Sequence, residues 1–169
     1  MAPSAALEDP CMEKLYKRID GVVLYQEAWV EDGLVFHHWG RIGETGEHTT
    51  TPVKRWTSKR KQVSDVLKSA REDGYAPLDD EDLTVLMIEY RVDGFGSDAD
   101  LDKRHRLQDR MDETLGWAGI GHCDGGSSGG GTMEVCCYVV DYEIASRVVA
   151  NDLKGTEFGD YLRIYREDE

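Results

Sequence analysis

The sequence lacks any long hydrophobic run. None of its apolar stretches approaches the roughly 18–20 residues that a membrane-spanning helix needs. The N-terminal segment MAPSAALEDP also lacks the positive region and the following apolar stretch of a secretory signal peptide. We therefore expect a cytoplasmic protein with no membrane partner and with a loose tail over residues 1–13.

Cysteine is scarce as well. The chain contains four cysteines, and no two of them form a C-x-x-C pair or a regular framework. This pattern supports neither a zinc site nor the disulfide scaffold of a small secreted domain. Cys136 and Cys137 are adjacent in a strand-like run, where neighbouring side chains face opposite sides, so they are poorly placed to bind one metal ion. Buried, reduced thiols are expected, with no metal and no cofactor.

Basic residues are in short supply, and the deficit is confined to one half of the chain. The formal net charge is −14 at pH 7. Residues 1–78 hold 12 acidic and 11 basic residues, whereas residues 79–169 hold 22 and 9. Repulsion between phosphates and acidic side chains at low salt therefore argues against nucleic-acid binding by the second half, but not by the first. This asymmetry predicts two domains with different surfaces, over residues 14–78 and 79–169.

The first region reads as strands followed by a helix. GVVLYQEAWV and LVFHHWGRI indicate a hairpin around EDG, and EHTTTPV a third strand. TSKRKQVSDVLKSARED then predicts one amphipathic helix that ends at Gly74. The apolar stripe of this helix consists of Val63, Val66, Leu67 and Ala70. The segment GYAPLDDEDL marks the end of this antiparallel sheet with its helix.

The second region has the order strand, helix, hairpin, helix, strand. LTVLMIEYRV is the first strand, Ser97 or Asp98 can cap the helix after it, and Asp141 can cap the second helix. The residues expected on the buried sides of the two helices are Leu101, Leu107, Met111, Leu115, Ile144, Ala145, Val148, Val149 and Leu153. YLRIY closes the region as the last strand. This order is that of a ferredoxin-like sandwich, so the fold class is α+β in both regions.

The stretch GIGHCDGGSSGGGT is rich in glycine but does not fit a phosphate-binding loop. It lacks the lysine of the G-x-x-x-x-G-K-[ST] motif, and Asp124 would repel phosphate. A flexible hairpin tip or a tightly twisted backbone is expected instead. His122, Cys123 and Asp124 include the side chains of a nucleophilic triad, but three consecutive residues diverge, so no catalytic residue is predicted.

HHWGRIGETG places a Trp-Gly-Arg tripeptide on a strand before a turn, and this region resembles the WGR domain over about residues 14–78. The matching features are Tyr25, Trp29, Trp39-Gly40-Arg41 with Ile42-Gly43, Gly46, and the helix running to Gly74-Tyr75. WGR domains are best known from DNA-damage-activated poly(ADP-ribose) polymerases, in which they bind near DNA ends, and bacterial proteins also carry them. The resemblance implies that Trp39 packs against a terminal sugar or base, and that Arg41 reaches the backbone or a neighbouring domain. The second half is similar only to uncharacterised bacterial proteins.

Two sets of residues are candidates for contacting nucleic acid. His37, Trp39 and Arg41 share one face of an extended strand and offer a flat ring for stacking and a guanidinium for phosphate. The second set is the basic cluster around Trp56, made of Lys54, Arg55, Lys59, Arg60 and Lys61. An anion at the start of the following helix could be held by the helix amides and these side chains together. A buried Trp39, an Arg41 paired with an acid, and a solvated basic face are the structural alternatives.

The sequence thus predicts a non-enzymatic protein whose first domain binds DNA ends or single strands. Residues 79–169 are too few for the polymerase catalytic module and show no nicotinamide-binding motif. The acidic second domain is expected to bind a protein partner, or to act as a lid that competes with nucleic acid. The alternative is a protein-interaction module, such as an antitoxin, immunity protein or regulator, whose acidic domain binds a basic protein while the WGR-like domain is structural.

Overall fold

The computed structural model describes residues 11–168, which form two compact units. The first unit contains residues 11–41 and 46–78, and the second contains residues 42–45 and 79–168. Each unit is built on a four-stranded antiparallel sheet with helices packed against it. The predicted α+β class is therefore confirmed.

The first sheet has the strands in chain order. Its strands are β1 (Met12–Ile19), β2 (Val22–Glu31), β3 (Leu34–Arg41) and β4 (Glu47–Pro52), and two helices follow, α1 (Lys59–Val66) and α2 (Lys68–Glu72). The β2–β3 hairpin turns at Asp32 and Gly33, both with positive φ (48° and 76°), which is the conformation that a two-residue turn between twisted strands requires. The three strands predicted from the sequence are present.

Strand β1 was not predicted, because its charged residues hide the apolar alternation. It is an edge strand that pairs with β2 alone among the long strands, and Leu15 is its fully buried residue. Charged side chains are common on edge strands because they oppose unwanted pairing. The expected loose tail over residues 1–13 is wrong for Met12 and Glu13, which belong to this strand, while residues 1–10 lie outside the described residues.

The two helices of the first unit pack on one face of its sheet. Val63, Leu67 and Ala70 form a buried cluster with Leu15 and Ala28 of the sheet, as the apolar stripe predicts. The single predicted helix is interrupted at Leu67, whose φ and ψ of −91° and 3° are not helical. Ser58 caps α1, since its Oγ accepts a hydrogen bond from the Lys61 N–H at 3.2 Å.

The second sheet has the order β6-β7-β5-β8, in which every hydrogen-bonded pair is antiparallel. Its elements are β5 (Thr84–Arg91), α3 (Asp98–Trp117), β6 (Gly121–Gly129), β7 (Thr132–Val139), α4 (Tyr142–Leu153) and β8 (Arg163–Arg166). Ser97 and Asp141 cap the two helices as predicted. Element order and strand order together are those of a ferredoxin-like sandwich.

Two details of the second unit differ from the sequence prediction. Leu101 was expected on the buried side of α3, but 42% of it is exposed, and the buried stripe consists of Leu107, Met111 and Leu115. The glycine-rich stretch, for which a hairpin tip or a tightly twisted backbone was expected, is mostly strand β6 with a register shift between Cys123 and Gly126, and only Gly130-Gly131 form the turn. Gly126 fits in this strand because it has no side chain: a Cβ at this position would lie 2.3 Å from the Glu134 carbonyl oxygen of the neighbouring strand.

Within residues 11–168, no helix has the length and apolar character to cross a membrane. The same residues contain no group of three or more histidine, cysteine or acidic side chains placed to hold a metal ion.

Gly46, the residue before β4, tests how tightly the first unit is packed. A Cβ added to Gly46 would overlap the Trp39 carbonyl oxygen and the Tyr25 hydroxyl and would lie 2.9 Å from His38 Nε2. We expect Gly46→Ala to lower the free energy of unfolding of this unit by about 1–3 kcal/mol or more, measured by denaturant titration. Gly116→Ala is the control, because Gly116 lies in α3 with open space around it and alanine favours helix by about 1 kcal/mol. Equal stability of the two variants would contradict this packing.

Candidate nucleic-acid interface

Strand β3 presents two chemically different faces. Its cross-strand partners on β2 are Ala28 for His37 and Gln26 for Trp39. Ala28 belongs to the core beneath the helices, and directly paired residues share a face, so His37 and Trp39 lie on the helix-bearing face. Arg41 follows on the same face by alternation and is exposed. The shared face that the sequence predicts for His37, Trp39 and Arg41 is therefore found.

Trp39 is half-buried and is held by its neighbours. Its ring centroid lies 4.7 Å from that of His37, with the two rings tilted by 43°. His37 Nε2 donates a hydrogen bond to Gln26 Oε1 at 2.9 Å. Burial, and secondarily the neighbouring His38, lower the pKa of His37, so it is neutral at pH 7 and this bond uses its single N–H. His37 therefore orients the Trp39 ring rather than offering a positive charge.

The opposite face of the same strands holds a buried charged network that the sequence reading did not find. His38 Nδ1 lies 2.7 Å from Glu27 Oε1, and the Tyr25 hydroxyl lies 2.9 Å from His38 Nε2. Lys14 Nζ lies 2.9 Å from the other oxygen of Glu27. Glu27 is 2% exposed. The burial of Tyr25, and secondarily the charge of Glu27, raise the pKa of Tyr25. Only the strand register, which pairs Glu27 with His38, reveals this network.

The basic loop before α1 is fixed by a second residue that the sequence reading missed, the buried Gln62. Its Oε1 accepts a hydrogen bond from the Lys54 N–H at 2.7 Å, and its Nε2 donates to the carbonyl oxygens of Lys54 and Thr57 at 3.2 and 2.8 Å. These bonds close residues 54–58 against the helix. A glutamine inside a helical run gave no signal of this role, because its partners are backbone atoms.

The closed loop projects an aromatic side chain into solvent. Trp56 is 91% exposed, and the Arg55 guanidinium carbon lies 5.3 Å from its ring centroid. An exposed tryptophan beside an arginine is suited to stacking on a base, because every base has a π face.

A cleft of about 370 Å³ separates this loop and α1 from the sheet. Lys54, Lys61 and Asp65 are its charged lining residues, and Val35 and Thr51, which are paired on β3 and β4, also line it. From Val35 the same strand face continues to Trp39, about 13 Å away at the usual rise per residue. That distance equals about four nucleotide steps of a B-form strand.

The five residues of the basic cluster do not all lie on one surface. Lys54 and Lys61 face the cleft just described, whereas Arg60 lines a separate cleft of about 260 Å³ beside the start of β1. Lys61 also forms an exposed ion pair with Asp65, at 2.9 Å. Arg55 lies over Trp56, and Lys59 is exposed at the first position of α1.

A cleft lined by lysines that continues along an aromatic strand face is typical of a binding module. Residues 25–82 match the family model of the WGR domain, so this part of the chain is a WGR domain. The match includes the tripeptide and the basic cluster but not β1. A WGR domain is a binding domain and not a catalytic one, and it is consistent with a nucleic-acid-binding module. Comparisons with curated proteins and with solved structures gave no significant match.

The buried network makes a prediction about stability. We expect Glu27→Gln to lower the free energy of unfolding by about 3 kcal/mol, the lower end of the range for a broken buried pair, because Lys14 remains partly exposed. Glu72→Gln is the matched control, since Glu72 is 66% exposed and 3.9 Å from Lys68, a geometry that contributes well below 1 kcal/mol. Denaturant unfolding followed by tryptophan fluorescence measures both. A loss in Glu27→Gln no larger than in the control would show that the network does not stabilise the sheet.

Proposed function

We propose that the first unit binds nucleic acid along the β3–β4 face, from the lysine-lined cleft to Trp39 and Arg41. The observation that carries this proposal is the continuity of that face. Val35 pairs with Thr51 at the cleft, His37 pairs with Thr49, and the face then reaches Trp39. A strand of about four nucleotides has the length to contact both ends of this surface at once.

Each end of this surface offers a different contact. At the cleft, Lys54 and Lys61 supply positive charge for phosphates, with Lys59, Arg55 and Arg60 adding to the local potential. The ion pair of Lys61 with Asp65 is exposed, so its exchange for a phosphate contact costs little. At the other end, Arg41 offers a guanidinium for the backbone beside the Trp39 ring.

DNA ends or single strands are the preferred substrates in this proposal. Inside a duplex both faces of a base are covered by its neighbours, whereas a terminal or unpaired base has a face free for an aromatic ring. Trp39 and Trp56 both lie on or beside the proposed surface, and Trp56 is almost fully exposed. The chain acts without catalysis in this account, and its acidic second domain regulates binding or recruits a partner.

Fluorescence anisotropy over a salt series tests this function. The probes are a blunt 5′-phosphorylated duplex, the same duplex closed by hairpins at both ends, and a single strand. We expect the open end and the single strand to bind more tightly than the closed duplex. Trp39→Ala combined with Arg41→Ala should remove this preference, provided that circular dichroism shows a folded protein. Lys54→Gln should reduce the slope of log K against log salt by about 0.7–0.9, the value for one lost phosphate contact.

Lys68→Gln is the matched charge control for Lys54→Gln. Lys68 is 75% exposed in α2 and does not line the cleft, so its removal changes the net charge equally but should leave the slope unchanged. Equal slopes for the two variants, or no binding by the wild type at low salt, would contradict nucleic-acid binding by this face.

A second candidate function is supported by the sheet of the second unit. Helices α3 and α4 both pack on one face of this sheet, which leaves the opposite face free of these two helices. That open face carries apolar and aromatic residues that alternate with the buried positions of β5, β7 and β8. They are the half-buried Val85, Cys136, Tyr138 and Tyr165.

Acidic side chains surround this open face. Cys136 and then burial raise the pKa of Tyr138, and the charges of Asp124, Glu167 and Asp80 add to the shift. Glu134 also lies there, as it accepts a hydrogen bond from the Tyr165 hydroxyl at 2.6 Å, and it raises the pKa of Tyr165 to about 12. An apolar centre with an acidic rim complements a basic amphipathic protein segment.

Peptides of equal charge separate this candidate from simple charge attraction. We expect an alternating lysine–leucine peptide to bind the full chain more tightly than polylysine of the same charge, because only the first fills the apolar centre. Tyr138→Ser should weaken that binding at least several-fold in calorimetry. Leu101→Ser, which changes an exposed leucine on α3, is the control and should have no effect. Equal binding of the two peptides would contradict a docking site on the sheet face.

A further inference from the structure

Two cysteines of the second unit, neither of which the proposed function uses, lie directly opposite each other. Cys123 on β6 pairs with Cys137 on β7. Directly opposed residues of an antiparallel pair have Cα atoms about 4.5 or 5.5 Å apart, depending on the hydrogen-bonding position. A disulfide requires about 4.4–6.8 Å between Cα atoms. Either position in the ladder therefore satisfies the backbone requirement for a bond between them.

The two thiols differ in access and in chemical state. Cys137 is fully buried, whereas Cys123 is partly exposed. The Cys123 thiol donates to the Cys136 and Gly125 carbonyl oxygens at 3.4 and 3.9 Å. The adjacent Cys137 thiol, and secondarily the Gly125 backbone, lower the pKa of Cys123, whereas burial and the charges of Asp112 and Asp124 act in the opposite direction. The interaction with Cys123, together with burial, raises the pKa of Cys137. Cys123 is thus the more accessible and the more readily ionised of the two thiols, and Cys137 is the protonated partner behind it.

The backbone around Cys123 is built to adapt. The register between β6 and β7 shifts between Cys123 and Gly126, which marks a bulge next to the thiol. Gly125, inside this bulge, has a φ of +110°, a conformation that other residues rarely adopt. The glycines of this stretch therefore allow a local adjustment of β6 when a bond forms at Cys123.

We propose that Cys123 and Cys137 form a thiol-oxidation site that reacts with low-molecular-weight disulfides and closes into a cross-strand disulfide. The Cys123 thiolate attacks one sulfur of the small disulfide, which gives a mixed disulfide and releases one thiolate. Cys137 then passes its proton to that released thiolate and attacks Cys123 Sγ, which expels the second thiolate. The two protein thiols are oxidised and the small disulfide is reduced to two thiols, so atoms and electrons balance.

Formation of the mixed disulfide also activates the second step. The largest cause of the raised pKa of Cys137 is its interaction with the Cys123 side chain. In the mixed disulfide, Cys123 can no longer carry a negative charge, so this cause is removed. The pKa of Cys137 then falls, and Cys137 ionises more readily. A disulfide of this kind forms and reverses with the surrounding thiol pool, as redox-responsive disulfides of intracellular proteins do.

Cys136 provides the matched control within the same strand. It neighbours Cys137 but faces the opposite side of β7, and burial together with the charge of Glu167 raises its pKa. It lacks both the opposed partner and the activated state of Cys123. Cys11 belongs to the first unit and is not part of this ladder.

The test treats the reduced full chain with oxidised glutathione and maps disulfides by mass spectrometry without reduction. Cleavage after glutamate is the right choice, because it separates Cys123 (residues 114–134) from Cys136 and Cys137 (residues 135–143), whereas trypsin leaves all three in one peptide. We expect two of the four thiols to be lost, with these two peptides linked. Cys136→Ser should give the same link, and Cys137→Ser should stop at glutathione on Cys123. In Cys123→Ser, both Cys136 and Cys137 should stay reduced.

Three outcomes would overturn the proposal. Loss of the link in Cys136→Ser would show that Cys123 bonds to Cys136 and not to Cys137. Faster glutathione addition to Cys11 or Cys136 than to Cys123 would show that Cys123 is not the activated thiol. Absence of any linked peptide, in chains that circular dichroism shows to be folded, would mean that the opposed thiols do not react together.

Discussion

The register between β2 and β3 is the constraint on which the first unit depends. Glu27 lies opposite His38 and Tyr25 opposite Gly40, and the buried Tyr25–His38–Glu27–Lys14 network can form only in that alignment. A shift of one residue would move every side chain of β3 to the other face. The network therefore requires the same register that puts Trp39 on the helix-bearing face.

The proposed binding surface depends on that register. With the register fixed, His37 and Gln26 hold the Trp39 ring, and Val35 forms the floor of the cleft that Lys54 and Lys61 line. Gln62 then holds the basic loop in place through its backbone partners. The tripeptide of the WGR domain is thus one end of a surface whose other end lies about 13 Å away along the same strands.

Local patterns in the sequence carried much of the fold but little of the site. The hairpin turn at Asp32-Gly33, the caps Ser97 and Asp141, and the buried stripe of Val63, Leu67 and Ala70 are signals of short range, and all were predictable. The charged edge strand β1 was missed because its role depends on pairing with β2. The separation of Arg60 from Lys61, the Glu27–His38 pair and the Cys123–Cys137 pair all depend on register or helix orientation, which no local pattern specifies.

Photocrosslinking tests the central claim most directly, because it locates the contact instead of inferring it from affinity. A short single strand carrying 5-iodouracil at each position in turn would be irradiated with the full chain, and the tryptic peptides identified by mass spectrometry. The account predicts crosslinks in residues 19–41 at Trp39 and in residues 56–59 at Trp56, from positions about four nucleotides apart. Crosslinks confined to the acidic second unit, or none under conditions in which the strand is bound, would contradict it.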